Sequence, residues 1–317
     1  MKPLINLQNW LEQTPPLRRV KVQWTFEPVR VLLVGLFLFL FISCEKTITV
    51  DIPQAETKIV VEGYIEPGKP AQVLLTKSSP YFGKVPTTQE ELLAMIVTDA
   101  KVVVSDGITT DTLKVTYDEN AGFFPYLFYR GDTAILKGVP GRKYDLKIIT
   151  DSETLTATTT IPALIPLDST WFVIQGDGHY NRGFCWGLLS DPDTLGNCYR
   201  IMAKRLGKDT NFIAPYGSPF DDKFINGKSF QFYFSRGTEA GSTETGDDLY
   251  YFLKGDTVVV KFCTLDKAHL DFWLSAENDI YNQGNPFSSP LTLITNINGG
   301  LGVWGGYGAT YDTVICK

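Results

Sequence analysis

Short segments in which apolar and polar residues alternate recur along most of the chain, and turn-forming residues separate them. Lys58–Ile65 and Lys143–Thr150 are two examples. Alternation with a period of two places successive side chains on opposite faces of a strand. The 28 Gly, 18 Pro, 20 Phe and 15 Tyr residues of the 317-residue chain also favour strands and turns over helices. The pattern therefore predicts a mainly β protein.

The first half of the chain predicts a β-sandwich. Its turn within Lys137–Leu146 is followed by Tyr144 on an alternating strand, which is common in sandwiches of the immunoglobulin or fibronectin type. Ile161–Leu167 contains two prolines four positions apart and is expected to be extended. We place a domain boundary there and predict a β-sandwich domain at residues 44–162.

Residues 163–317 predict a second antiparallel β domain. Asp191–Gly196 indicates a hairpin turn between two strands. Apolar residues spaced three to four positions apart predict one amphipathic helix at about residues 266–282.

The stretch Asn298–Gly308 is rich in glycine but lacks the Lys-Ser/Thr pair of a phosphate-binding loop. We interpret its glycines as allowing close backbone packing or positive φ. A ligand-facing loop is the alternative, with Trp304 and Tyr307 as exposed aromatic residues that contact a ligand or a partner.

A 13-residue apolar segment, Val31–Ser43, follows Arg30 and ends at Cys44. It is shorter than the roughly 20 residues of a membrane-spanning helix, and it matches the apolar core of a signal peptide. Phe41–Cys44 resembles the bacterial lipobox, in which the cysteine is acylated and becomes the first mature residue. We therefore predict a signal peptide at residues 1–43 and a lipid anchor with palmitate-type chains on Cys44. The alternatives are an uncleaved anchor or a chance cysteine. The length before Arg30 indicates a start codon assigned too early or a genuine extension.

Charge is distributed unevenly along the sequence. Residues 1–44 carry a net charge of +3, whereas the rest of the chain has 24 basic and 33 acidic residues. Nucleic-acid binding needs clustered Lys and Arg to neutralise phosphates. The acidic balance therefore excludes nucleic acid as the expected partner.

The chain resembles a known lipoprotein family. Asn285–Leu291 and Thr295–Tyr307 look like the carboxy-terminal signature of a family from Bacteroidota, domain of unknown function 4249. The amino-terminal half of that family is similar to three further segments: Cys44–Lys46, Lys58–Ile65 and Leu75–Phe82. The resemblance covers roughly residues 44–311.

This resemblance implies an outer-membrane lipoprotein without an established biochemical activity. Family members are often associated with TonB-dependent receptors, which implies an accessory role in nutrient uptake. Surface-exported members often carry acidic residues directly after the cysteine. Here Glu45 is the one acidic residue before Asp51. The resemblance therefore leaves open whether the protein faces the periplasm or the cell surface.

We predict a non-enzymatic accessory or binding lipoprotein of a TonB-dependent uptake system, without a cofactor. A structural or adhesive surface lipoprotein and an envelope hydrolase are the alternatives. The sequence contains no nucleophile elbow and no HExxH motif. A pair of carboxylates, as in a glycosidase, could still assemble in the fold.

Four further cysteines could form disulfides in an oxidising envelope or stay buried thiols: Cys185, Cys198, Cys263 and Cys316. A Cys185–Cys198 bridge would need a bulge or a shifted turn, whereas Cys263 and Cys316 both end strands and could meet. No metal site is predicted, because the chain has no CxxC motif and His179 and His269 are far apart in sequence.

Several short motifs have both a functional and a turn-forming interpretation. Asp191–Asp193 and Asp221–Asp222 could bind calcium, or could simply form turns. Arg130–Asp132 matches a cell-adhesion tripeptide. Six Asp-Ser/Thr tripeptides resemble the O-glycosylation sequon of Bacteroidota, although Asp-Thr also often precedes a strand. The predicted acceptors are Thr112, Thr133, Ser169, Thr194, Thr257 and Thr313.

Overall fold

Strands make up most of the regular structure in the computed structural model, which describes residues 56–79, 86, 88–119, 127–176, 178, 180–238, 246–282 and 293–317. The strands of the first half are β1 Ile59–Ile65, β2 Gln72–Lys77, β3 Lys101–Ser105, β4 Thr110–Thr112, β5 Lys114–Tyr117, β6 Leu127–Arg130, β7 Lys143–Ile149 and β8 Thr154–Thr160. Those of the second half are β9 Ser169–Ile174, β10 Arg182–Ser190, β11 Cys198–Arg205, β12 Pro219–Asp221, β13 Ser229–Phe234, β14 Phe252–Leu253, β15 Thr257–Leu265, β16 Leu301–Gly306 and β17 Gly308–Ile315. The prediction of a mainly β protein is confirmed.

Within these ranges there are two α-helices, α1 Gln89–Ala94 and α2 Lys267–Asn282, and one 3₁₀ turn, Asp247–Tyr250. Helix α2 confirms the amphipathic helix expected at about residues 266–282. Neither α-helix combines the length and the apolar character needed to cross a bilayer.

The first sandwich consists of two sheets. One has the strand order β16-β1-β2-β6-β5 and the other the order β4-β3-β7-β8. Strands β1 and β16 are parallel, whereas the other paired strands are antiparallel. Alternation along β1 directs Val61 and Ile65 into the core between the sheets. The structure is consistent with the predicted β-sandwich fold.

Tyr144 lies fully buried in this core, as its place on an alternating strand predicted. Its hydroxyl accepts a hydrogen bond from the Val139 N–H at 2.7 Å and donates one to the Lys137 carbonyl at 3.1 Å. The side chain therefore ties the turn before β7 to the strand itself, an arrangement similar to the tyrosine corner of immunoglobulin-like sandwiches.

The second sandwich packs β10 with its partners β9, β13 and β14 against the sheet β12-β11-β15-β17. The hairpin predicted at Asp191–Gly196 is wrong, because β10 and β11 belong to different sheets. The turn carries the chain from one layer to the other. Each strand can thereby bury an apolar face in the shared core, where Leu189 of β10 meets Tyr199 of β11.

Strand β16, Leu301–Gly306, contradicts the alternative of a ligand-facing loop at Asn298–Gly308. Gly302 has a φ of 103°, and a Cβ there would lie 1.9 Å from the Val61 carbonyl oxygen. A Cβ on Gly305 would meet the His269 ring at 2.1 Å. The glycines therefore allow this strand to lie against β1 and α2, as the close-packing interpretation requires.

The described residues from 56 onward belong to one compact unit, Gln54–Lys317. It contains a separate main core for each sandwich. Ile297 and Trp304 of the carboxy-terminal part join the first core. The division at residue 162 stays a prediction.

Candidate functional site

A cavity of about 360 Å³ lies where the outer face of β1 meets the outer face of the β11-β15-β17 sheet. Strand alternation explains why charged side chains line it. Glu62 and Tyr64 of β1 point away from the first core, and Arg200 and Lys261 point away from the second. Each strand thus buries an apolar face on one side and presents polar groups to the cavity on the other.

Lys261 and Glu66 form a buried ion pair at the cavity wall. Lys261 is 6% exposed and Glu66 is 2% exposed. The Glu66 carboxylate also accepts hydrogen bonds from Lys69 Nζ at 2.8 Å and from the Tyr311 hydroxyl at 2.7 Å. Burial alone would raise the pKa of Glu66, but the two lysines outweigh it and lower the pKa to about 2. Glu66 is therefore ionised at neutral pH.

Aromatic rings surround the Lys261 ammonium. The Lys261 nitrogen lies 4.8 Å from the Tyr307 ring centre, 5.5 Å from that of Tyr64 and 5.7 Å from that of Phe212. Burial tends to lower the pKa of Lys261, but Glu66 raises it beyond its ordinary value. A cation enclosed by rings gains cation–π attraction in addition to its ion pair. Lys261 thus carries a fixed positive charge in the wall.

Arg200 is the second cation that is held rigidly. Its Nη1 donates to the Tyr307 hydroxyl at 2.7 Å, and its guanidinium carbon lies 3.4 Å from the centre of the Trp273 ring. No described carboxylate lies within ion-pair distance of Arg200. Arg200 therefore presents to the cavity a positive charge that no ion-paired carboxylate of the described residues neutralises.

Helix α2 supplies His269 and Trp273, which share one face because they are four residues apart. Asp266 positions the helix: its carboxylate accepts from the His269 N–H at 2.9 Å and from the Thr159 hydroxyl of β8 at 2.6 Å. Burial, followed by the charge of Arg200, lowers the pKa of His269 to about 3. The imidazole is neutral at physiological pH.

Glu62 lies inside the cavity in an unusual state. Its side chain keeps an exposed surface, which lines the cavity. Desolvation by the surrounding protein raises the pKa of Glu62, and Arg200 offsets only part of that rise. No hydrogen bond to its carboxylate is found from the described residues. Glu62 is thus a carboxyl group available to a bound molecule.

Comparison with protein families yields one assignment. The sequence profile of the family described as Domain of unknown function (DUF4249) matches residues 45–312. The chain belongs to this family. A comparison with curated proteins finds no match. The assignment confirms the family resemblance, and the cavity of this DUF4249 protein lies within the matched region.

The alternative of a ligand-facing loop placed Trp304 and Tyr307 of the DUF4249 carboxy-terminal signature at the surface, and this is wrong. Trp304 is fully buried, and its Nε1 donates to the Tyr144 carbonyl at 3.0 Å. Tyr307 is 4% exposed. Both are buried because β16 and β17 pair into sheets and do not form a surface loop. A ligand role for them stays a prediction, and Tyr307 does line the cavity.

The predicted lipidation and glycosylation sites do not form a cluster in the sequence or among the described residues. Cys44 lies outside the described residues. The glycosylation acceptors Thr112, Thr133, Ser169, Thr194 and Thr313 are exposed, whereas Thr257 is half-buried. Lipidation and glycosylation stay predictions.

Both disulfide pairings considered from the sequence are wrong in this structure. All four cysteines are free thiols. Cys185 and Cys316 pack in the second core, whereas Cys198 and Cys263 pack on the opposite face of the β11-β15 sheet. The sheet therefore separates the members of each predicted pair. Cys185 and Cys316 instead lie in the same core, and their interaction raises the pKa of Cys185.

The aspartates considered for calcium accept hydrogen bonds from protein groups. Asp222 accepts from the Gly196 and Asn197 N–H groups, each at 2.8 Å. Asp191 accepts from the Gly227 N–H at 3.1 Å. Within the described ranges, no group of three or more His, Cys, Asp or Glu residues could hold a metal ion.

Sequence reasoning missed Arg200, Lys261 and Glu66. A signal was present for Lys261, because it interrupts the apolar run Val258–Cys263 within strand β15. A lysine in the middle of such a strand needs a partner. The partner Glu66 is 195 residues away, and its approach could not be inferred from one sequence.

Proposed function

We propose that the protein is a lipid-anchored envelope protein that binds a small molecule in this cavity and serves as a non-enzymatic accessory subunit of a TonB-dependent uptake system. The cavity carries the binding part of this proposal. A volume of about 360 Å³ lies in the range of small-molecule sites. Its wall combines aromatic rings with charged side chains, and such polar groups fix the orientation of a ligand.

The membrane and transport parts of the proposal rest on the sequence. The apolar segment before Cys44 supports export and acylation, and the family resemblance supports association with a TonB-dependent receptor. An accessory protein of this kind would bind its ligand near the membrane and deliver it to the receptor.

A hydrolase is the second candidate, because two carboxyl groups with opposite pKa shifts line the cavity. Glu62 has a raised pKa and Glu66 a lowered one, a difference that suits an acid and a base. A glycosidase pair needs both carboxyl groups free to act at one bond of the substrate. The Glu66 carboxylate, however, is engaged by Lys261, Lys69 and Tyr311.

Affinity purification tests the accessory role. Tagged protein would be extracted gently from membranes of the native host, and mass spectrometry should identify a TonB-dependent receptor in the eluate. Deleting the gene should reduce uptake of the receptor's substrate, and the parent gene should restore it. A protein recovered without a receptor would contradict the proposal. Changed surface attachment with intact uptake would favour the adhesive alternative.

A further inference from the structure

Charges in the cavity wall are not balanced. Its cationic side chains are Lys69, Arg130, Arg200, Lys204 and Lys261, and its carboxyl groups are Glu62, Glu66 and Asp118. Arg130 pairs with Asp118 at 3.1 Å, and Glu66 is shared between Lys69 and Lys261. Lys204 donates to the Thr210 carbonyl and not to a carboxylate. The side chains that line the cavity therefore carry an excess of positive charge.

Buried polar atoms without a partner also concentrate in this wall. Arg200 Nε, His269 Nδ1 and Trp273 Nε1 are buried and have no hydrogen-bond partner among the described residues. Buried polar atoms in folded proteins are nearly always paired, and unpaired ones are costly. All three belong to side chains that line the same cavity. A bound molecule would supply the missing partners.

The chemistry of these atoms defines the molecule that would pair with them. The Arg200 and Trp273 nitrogens are donors, and the guanidinium lies directly over the indole ring. His269 is neutral, so one of its ring nitrogens carries a proton and the other is a hydrogen-bond acceptor. Two donors beside a positive charge suit an oxyanion, and a nearby acceptor suits a hydroxyl group.

We infer that the cavity binds the carboxylate or phosphate group of a small hydroxylated molecule, with Arg200 as its principal partner. The surrounding rings lower the local dielectric constant and so strengthen this attraction. Charge-assisted hydrogen bonds from a guanidinium are the strongest available for such a group. The inference rests on the proposed binding function and narrows it to one class of ligand.

Glu62 gives the inference a distinctive consequence. When ionised, its carboxylate repels a bound anion from inside the same cavity. Replacing it by neutral glutamine should therefore strengthen anion binding, whereas replacing Arg200 by lysine should weaken it. Opposite effects of two substitutions in one wall cannot result from a general folding defect.

Isothermal titration calorimetry on the purified full-length protein tests this, with glucuronate, inorganic phosphate and glucose as probes. Glucuronate should bind at least 10-fold more tightly than glucose, since the two differ at the carboxylate. Arg200→Lys should weaken glucuronate binding about 10-fold or more, and Glu62→Gln should strengthen it several-fold. Glu56→Gln removes the same negative charge as Glu62→Gln at an exposed position outside the cavity and should leave binding unchanged.

The titration with inorganic phosphate distinguishes a site for phosphate groups from a site for carboxylates. Binding of phosphate with the same response to Arg200→Lys would assign the site to phosphate groups, and its failure beside glucuronate binding would assign it to carboxylates. Equal binding of glucose and glucuronate, no binding of either anion, or a shift in the same direction for both variants would overturn the inference. Recovery of a receptor by affinity purification does not depend on these titrations, so the proposed function and this inference can fail separately.

Discussion

At the scale of single residues, the Lys261–Glu66 pair shows how a buried charge depends on its partner. Removing one member of a buried pair leaves the other charged and desolvated. We predict that Lys261→Met lowers the free energy of unfolding by about 3–5 kcal/mol, measured by urea denaturation. The double variant Lys261→Met/Glu66→Gln should recover a large part of that loss, because it leaves no orphaned carboxylate. Equal losses in both variants would show that packing, and not charge, determines the effect.

His269 predicts a pH dependence at the same scale. Its pKa is about 3 in the folded protein and 6.5 in the unfolded chain, so the unfolded state binds more protons between these values. The stability from neutral His269 is complete above pH 6.5 and is lost as the pH falls towards 3. As the pH falls through this range, the free energy of unfolding of the parent should decrease by about 1.4 kcal/mol per pH unit more than that of His269→Phe.

The comparison is best made between pH 6.5 and 4.5, since Glu66 begins to contribute below its ordinary value of 4.5. The charges of Arg200 and Lys261 contribute to the lowered pKa of His269. Parallel stability curves for the parent and His269→Phe would contradict the assignment of a neutral buried imidazole.

At the scale of elements, strand β16 depends on glycine for its approach to β1. An alanine at position 302 would have to adopt a positive φ, and its Cβ would lie 1.9 Å from the Val61 carbonyl oxygen. We predict that Gly302→Ala destabilises the fold by about 2 kcal/mol or more, measured by thermal and urea unfolding. Gly176→Ala is the matched control, because nothing lies within 4 Å of its added Cβ. A Gly302→Ala protein as stable as this control would contradict the parallel pairing of β1 and β16.

The elements differ in how far the sequence predicted them. Lys58–Ile65 and the helix were visible because their apolar side chains repeat with the period of a strand or a helix. Strand β16 was not, because Leu301–Gly306 contains three glycines, which carry no side chain to reveal a period. Its partner β1 also lies far away in the chain. The Asn296 side chain, and not a further strand, hydrogen-bonds the backbone N–H and carbonyl of Trp304 in β16.

At the scale of the whole molecule, the candidate site exists only where the two sandwiches meet. Glu62 and Glu66 come from the first, Arg200 and Lys261 from the second. The sequence predicted both groups of strands, but one chain without an alignment carries no signal for which outer faces come together. The cavity could therefore be recognised from the folded structure but not from a sequence motif.

The attachment of the whole molecule to a membrane is the last prediction. The region after residue 44 carries 24 basic and 33 acidic residues, so an anionic lipid surface would on balance repel it. Membrane binding should then depend on the acyl chains of Cys44, each buried methylene contributing about 0.8 kcal/mol. We predict that Cys44→Ser moves the protein from the membrane fraction to the soluble fraction, whereas Ser43→Ala, which keeps a small residue before the cysteine, does not. Mass spectrometry of the mature amino terminus should find an acylated Cys44 in the parent. Peptides spanning residues 40–50 in the membrane-bound protein would contradict it, because they require an uncleaved segment.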